Sequence, residues 1–209
     1  LMSREKVFKI LKKNFNFDNN QLNKIDIFTS ELLKINKIYN LIAFSTEKVI
    51  WERHILDSAQ LVRFINFNQN KTLSDLGSGA GFPGLILAIF NKNDNFHVKL
   101  YEKSVVKAKF LKRSIDSLDL KAEVINHDIY SRKIDSDYLV IRAFKKLPEI
   151  LRISREIMQN NHKLIILKGK NAQDELNKAS INFPLKYKLE DSITDKSSKI
   201  IVADVTKRD

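Results

Sequence analysis

The residues Asp75-Leu76-Gly77-Ser78-Gly79-Ala80-Gly81-Phe82-Pro83-Gly84 decide how this chain is read. The chain has 209 residues and five glycines, and four of those glycines stand in this stretch, at 77, 79, 81 and 84. Glycine is required where φ turns positive or where something approaches the main chain more closely than a Cβ permits. Such density in a glycine-poor chain points to a ligand rather than to turn chemistry. Residues 71–76 read as a strand and 84–90 as a helix. The loop therefore sits where doubly wound sheets bind nucleotide-like ligands.

Working outward, further strands are expected at 96–102, 122–126, 138–142 and 163–168. Helices are expected at 105–118, 147–159 and 172–179, and the tail reads as a hairpin of strands 185–189 and 199–205. This alternation predicts an α/β fold with a doubly wound, mainly parallel sheet and helices on both faces. Before residue 70 the period is helical. Leu22, Ile25, Phe28, Leu32, Ile35 and Tyr39 recur at three- and four-residue steps behind Asp18 as N-cap. A shorter helix around Val7, Ile10 and Leu11 precedes it. A third is expected over 47–64, with Ile50, His54, Leu61 and Phe64 facing inward. The one boundary falls near residue 70, separating an N-terminal helical extension (1–70) from a ligand-binding domain (71–209).

A hydrophobic fraction of 43% excludes disordered and collagen-like classes. No apolar run reaches the ~18–20 residues of a membrane span. The charges at Arg4, Glu5, Lys6, Lys9, Lys12 and Lys13 do not suit a secretion signal. There is no cysteine, which excludes disulfides, thiolate metal sites and a cysteine nucleophile. The four histidines lie far apart in sequence, without metal-binding spacing. A cytoplasmic protein without metal or membrane is expected, and nothing demands more than a monomer. Against 25 acids stand 37 Lys and Arg, a net +12. That excess suits a polyanionic partner, through release of condensed counterions, or else reflects a generally basic proteome.

Two ligand readings compete at the loop. Residues 79–84 satisfy the dinucleotide pattern GxGxxG, whereas Asp75 with Gly77, Gly79 and Gly81 gives Asp-x-Gly-x-Gly-x-Gly, the S-adenosylmethionine form. Glu102 follows the second strand, where a carboxylate accepts from both ribose hydroxyls; it reads equally as a surface acid beside Lys103. Asp128, after the third strand, reads as an acid at an adenine edge or as a plain loop acid. Ile129 and Tyr130 line a base pocket or pack beneath the loop. No tyrosine is followed four residues later by lysine, which removes the proton-donating pair of short-chain reductases. With the tail hairpin, the balance favours a methyltransferase-type sheet.

The acceptor can be narrowed chemically. Carbon-5 of a pyrimidine needs a thiolate, and none exists. Exocyclic amines are usually served by Asn/Asp-Pro-Pro-Tyr after the fourth strand, where this chain has Val140-Ile141-Arg142-Ala143-Phe144. A guanine N7 carries a free lone pair, needs no base and stays compatible.

Tyr39-Asn40-Leu41, Arg53-His54-Ile55-Leu56-Asp57-Ser58 and the glycine loop, followed by Phe110-Leu111, Arg142-Ala143 and Lys168-Gly169, resemble the bacterial small-subunit ribosomal RNA guanine-N7 methyltransferases (RsmG or GidB). The resemblance covers nearly the whole chain. It implies a class I methyltransferase fold, S-adenosylmethionine as donor, and guanine N7 in 16S ribosomal RNA, free or in the small ribosomal subunit, as acceptor. By position it implies that Gly77, Phe82, Ile129, Tyr130 and Arg142 contact the donor or its site. Arg142 also has its own rationale, because a guanidinium at a strand's carboxyl end grips a carboxylate or phosphate with two prongs, or makes an interdomain salt bridge. The chain departs from the family at Ile42 and Ile141, where threonine and serine are usual, at Asp128, where arginine is common, and at Val106-Lys107, where two lysines are usual.

Arg53, His54 and Asp57 share one helical face and either pack the extension onto the sheet domain or contact RNA. His54 is not needed as a base for an acceptor that loses no proton. Lys99, Lys103, Lys107, Lys109, Lys112 and Arg113 form one basic cluster, a solvated helix face or an RNA contact. Arg142, Lys145 and Lys146 form a second at the expected substrate mouth. Phosphate contacts there position RNA without reading its sequence. Phe144 stacks on a splayed base or belongs to the core. The competing functions are a methyltransferase for a small molecule or protein, and a non-catalytic nucleotide-binding module.

Overall fold

The computed structural model describes residues 1–131, 133–142, 145–182 and 185–206. Ala143 and Phe144, singled out above, lie outside the described residues. Helix α1 (Arg4–Phe15) starts at Ser3, whose hydroxyl accepts from the Lys6 N–H at 3.3 Å. Helix α2 (Asn19–Tyr39) starts in a reciprocal cap. Asp18 accepts from the Gln21 N–H and the Gln21 side chain accepts from the Asp18 N–H, both at 2.8 Å. Leu22, Ile25, Phe28 and Leu32 are buried as the period requires, while Tyr39 at the helix end is 55% exposed.

The helix expected over 47–64 is not one regular helix. A short turn, Phe44–Glu47, is followed by a run of three pitches: π over Trp51–Leu56, α over Asp57–Ala59 and 3-10 over Gln60–Phe64. The π turn carries three consecutive buried residues, His54, Ile55 and Leu56.

The sheet has seven strands in the order β3-β2-β1-β4-β5-β7-β6. Strands β1 (Thr72–Leu76), β2 (His97–Tyr101), β3 (Ala122–Ile125), β4 (Tyr138–Arg142) and β5 (His162–Lys168) are parallel. β6 (Lys186–Asp191) and β7 (Lys199–Val205) form the expected hairpin, and β7 pairs antiparallel with β5. The strand order turns back between β1 and β4, so a crevice opens at their carboxyl ends. Helices α3 (Gly84–Phe90) and α4 (Val105–Ser117) cover one face, α5 (Leu147–Ile157) and α6 (Ala172–Asn182) the other. Alternation along β4 divides it between them, Tyr138 and Val140 on the first face, Leu139 and Ile141 on the second. Val7, Leu11, Ile25, Phe28 and Leu61 share one continuous core with Leu85, Phe96 and Leu111. The N-terminal helices are thus built into the first face.

Candidate active site

The loop after β1 is held by its neighbours' backbone. Gly77 and Ser78 N–H groups both donate to the Tyr101 carbonyl at the end of β2, at 2.9 and 3.0 Å. Gly77, Gly79 and Gly81 take φ of 72°, 57° and 105°, values that L side chains rarely adopt. At Gly79 a Cβ would meet nothing nearer than the Gly77 carbonyl oxygen at 3.8 Å, so this stretch of backbone faces open space. At Gly84 the opposite holds. A Cβ there would stand 2.2 Å from Leu100 and 2.5 Å from the Asp75 carboxylate, and glycine is required by packing.

Asp75 is fully buried, and its Oδ2 accepts the Gly84 N–H at 2.9 Å while Oδ1 has no partner. Burial pushes its pKa up to about 7, against the opposing Ser78 and Gly84 hydrogen bonds. The side chain expected to bind the ligand is therefore turned inward and braces the loop from behind. Phe82 is also turned inward. Its ring is 7% exposed and packs against Phe28 and His54, with centroids 5.6 and 4.9 Å away, because the N-terminal helices offer it an apolar seat.

Glu102 lies just beyond β2 and reaches the loop. Its Oε2 accepts the Gly79 N–H at 2.8 Å and its Oε1 the Ser104 N–H at 2.7 Å, tying loop to α4. Each oxygen retains acceptor capacity for a ligand hydroxyl. Asp128 is exposed and accepts the Tyr130 N–H at 3.0 Å, capping the turn Ile129–Ser131. Ile129 packs partly into the second core, and Tyr130 stands 51% exposed. Lys145 pairs with Glu149 and interacts with the Tyr130 hydroxyl, and both raise its pKa, Glu149 first. The structure thus joins two expected site residues across the sheet edge. Lys146 is exposed and Lys107 half-buried at the first turn of α4.

Arg142, at the end of β4, organises the other side of the crevice. Its Nη2 donates to the Arg53 carbonyl at 2.7 Å and to His54 Nδ1 at 3.0 Å. A guanidinium only donates, so Nδ1 is the acceptor and Nε2 carries the proton, facing Thr46 Oγ1 at 2.9 Å. Burial first, then the charges of Arg142 and Arg53, push His54 down to about 3, leaving it neutral. The Arg142 guanidinium also lies 5.9 Å from the Phe82 ring centre. Its Nη1 is buried without a partner.

Beside it is a cavity of about 400 Å³, lined by Arg53, Asp57, Arg142, Lys168, Glu175 and Thr194 among others. Asp57 Oδ1 accepts from Gln60 Nε2 and Thr194 Oγ1, both at 2.9 Å, and from Ser192 Oγ at 3.4 Å. Burial raises the Asp57 pKa, against Arg142, Thr194, Arg53 and Ser192. Lys168 bonds Glu175 at 2.7 Å and the Lys145 carbonyl at 2.8 Å. Sequence reasoning missed Gln60, Ser192, Thr194 and Glu175. They come from three separate parts of the chain, and no spacing announces them. Among the described residues, no group of three or more His, Asp or Glu could hold a metal ion.

A family model described as rRNA small subunit methyltransferase G (GidB) matches residues 21–202. Ribosomal RNA small subunit methyltransferase G of Pelagibacter ubique (strain HTCC1062) is 38% identical, over 94% of this chain and 95% of that protein. Its namesake in Orientia tsutsugamushi (strain Boryong) is 36% identical, over 94% and 97%. In fold the chain is similar to a SAM-dependent O-methyltransferase from Thermotoga maritima (TM-score 0.57, 16% identity, 73% of this chain and 66% of that one). A SAM-dependent methyltransferase from Aquifex aeolicus is alike too (TM-score 0.56, 12% identity, 84% and 97%).

Proposed function

This chain belongs to the rRNA small subunit methyltransferase G family, and from that premise we propose that it methylates N7 of a guanine in 16S ribosomal RNA, with S-adenosylmethionine as donor. The observation that carries the reading is the open backbone at Gly79, flanked by two further positive-φ glycines, Gly77 and Gly81, and by Glu102. These residues fit an adenosyl group. Gly77 and Gly79 would allow its close approach, Glu102 would accept from its ribose hydroxyls, and Ile129 and Tyr130 would border its base. When bound, the donor supplies an electrophilic methyl on a sulfonium.

The chain's own residues contribute orientation. Methyl transfer is an in-line displacement, and holding acceptor and donor aligned provides much of the rate. N7 loses no proton, so no general base is required, and the neutral His54 is occupied in fixing Arg142. Lys145, Lys146 and Lys107 would meet phosphates around the crevice. The chain is proposed to act in the cytoplasm, as a monomer, on ribosomal RNA or the small subunit; no helix among the described residues is long and apolar enough to cross a membrane.

Mass spectrometry of small-subunit RNA from a deletion strain tests the reading. One N7-methylguanine should vanish and return on complementation, and an unchanged modification profile overturns it. Gly79→Asp, which puts a carboxylate into the open space, is expected to abolish calorimetric donor binding while leaving the melting temperature within a few degrees.

A further inference from the structure

The cavity beside Arg142 contains two unsatisfied groups of opposite kind. Arg142 Nη1 is a buried donor without an acceptor. Asp57 is a half-buried carboxylate whose Oδ1 takes three donors, from Gln60, Thr194 and Ser192, and whose Oδ2 takes none from the protein. The two side chains feel each other's charge without hydrogen-bonding each other. A buried donor left unpaired is costly unless a ligand completes it, and the open Asp57 oxygen on the same cavity offers that ligand an acceptor.

We propose that this pair reads the acceptor base as guanine, with Arg142 Nη1 donating to O6 and Asp57 Oδ2 accepting from N1–H. This deepens the function proposed above and rests on it. Guanine carries O6 and N1–H side by side, an acceptor next to a donor. Adenine presents the reverse, an amino donor toward the guanidinium and a bare N1 toward the carboxylate, so both contacts become repulsive. N7 lies on the far side of O6 and is left free for methylation. The cavity of about 400 Å³ falls within the size range of ligand sites. Exposed Lys170 on its rim suits a phosphate of the same nucleotide.

The pair also favours the transition state over the ground state. As N7 gains its fourth bond, positive charge spreads through the purine and N1–H becomes a stronger donor. Its bond to Asp57 then tightens as the reaction proceeds, the differential binding that accelerates a chemical step.

Asp57→Asn isolates the claim. The amide oxygen can keep the Gln60, Thr194 and Ser192 contacts, while the free acceptor becomes an NH2 donor facing N1–H. The assay is methylation of small subunits from the deletion strain, with nucleoside monophosphates as competitors. For the wild-type chain GMP and IMP, which share O6 and N1–H, should inhibit at least about tenfold better than AMP or 1-methyl-GMP, the scale of one charged hydrogen bond. In Asp57→Asn that preference should vanish and kcat/KM fall by about a hundredfold, with donor affinity and melting temperature unchanged. Equal inhibition by GMP and 1-methyl-GMP of the wild type overturns the proposal, whatever the variant's stability. So does an Asp57→Asn enzyme with undiminished kcat/KM. Absence of any ribosomal RNA methylation by the wild type would instead remove the underlying functional reading.

Discussion

Two buried titratable residues pull the stability of this protein in opposite directions with pH. Asp75 has a folded pKa of about 7 against an ordinary 3.8, so its contribution is complete below about pH 4 and is lost as pH rises through 7. His54 has a folded pKa of about 3 against 6.5, so its contribution is intact above 6.5 and is lost as pH falls toward 3. Between these limits the slopes oppose, each at about 1.4 kcal/mol per pH unit at most. Relative to wild type, Asp75→Asn should therefore lose melting temperature on acidification and His54→Gln should gain it. Parallel curves for wild type and both variants would contradict the assigned shifts. The glycines allow a second comparison. Gly84→Ala forces a methyl group against Leu100 and Asp75 and should destabilise by ~2–3 kcal/mol, lowering the melting temperature by roughly 5–10 °C. Gly169→Ala meets nothing within 4 Å and should stay within ~0.5 kcal/mol. Sequence alone marked all four loop glycines as one group. The structure divides them, since Gly79 faces a space and Gly84 faces packed atoms.

At the scale of elements, α2 depends on its reciprocal cap. Asp18→Ala removes the acceptor for the Gln21 N–H and the partner of Lys92 at 2.7 Å, and is expected to cost about 1 kcal/mol, or ~2–4 °C in thermal melting. An unchanged melting temperature would show the cap to be idle. This cap was legible from Asp18 and the period behind it, as were the seven strands, because alternation and loop chemistry act over a few residues. The run 51–64 was less legible. Its apolar spacing predicts a single regular helix, yet the chain widens into a π turn where His54 meets Phe82 and Arg142, partners that lie far along the sequence. Asp75 and Phe82 stood in the right motif, but which way each side chain turns depends on the Gly84 N–H and on Phe28, contacts that the motif does not carry. Asp57 was visible only as one member of a helical face. Its role rests on Thr194, 137 positions further along the chain.

For the whole molecule, the shared core predicts that the extension and the sheet melt together. Phe28 packs on Phe82 and Phe110, with centroids 5.6 and 6.1 Å away, so removing residues 1–40 exposes the apolar groups of the glycine loop and α4 that it covers. The truncated chain should show no cooperative thermal transition by circular dichroism, and a sharp one would establish the sheet domain as independent. The boundary expected near residue 70 marks a change of local periodicity, and the core runs across it. The hydroxyls of Ser192 and Thr194, from the hairpin turn, and the carboxylate of Asp57 meet only after the early helices and the late strands have each docked on the sheet. Contacts between such distant positions form late and slowly. Competence and native topology consequently arrive together. A molecule stalled short of its final pairing has no half-built reaction centre with which to alkylate the wrong target.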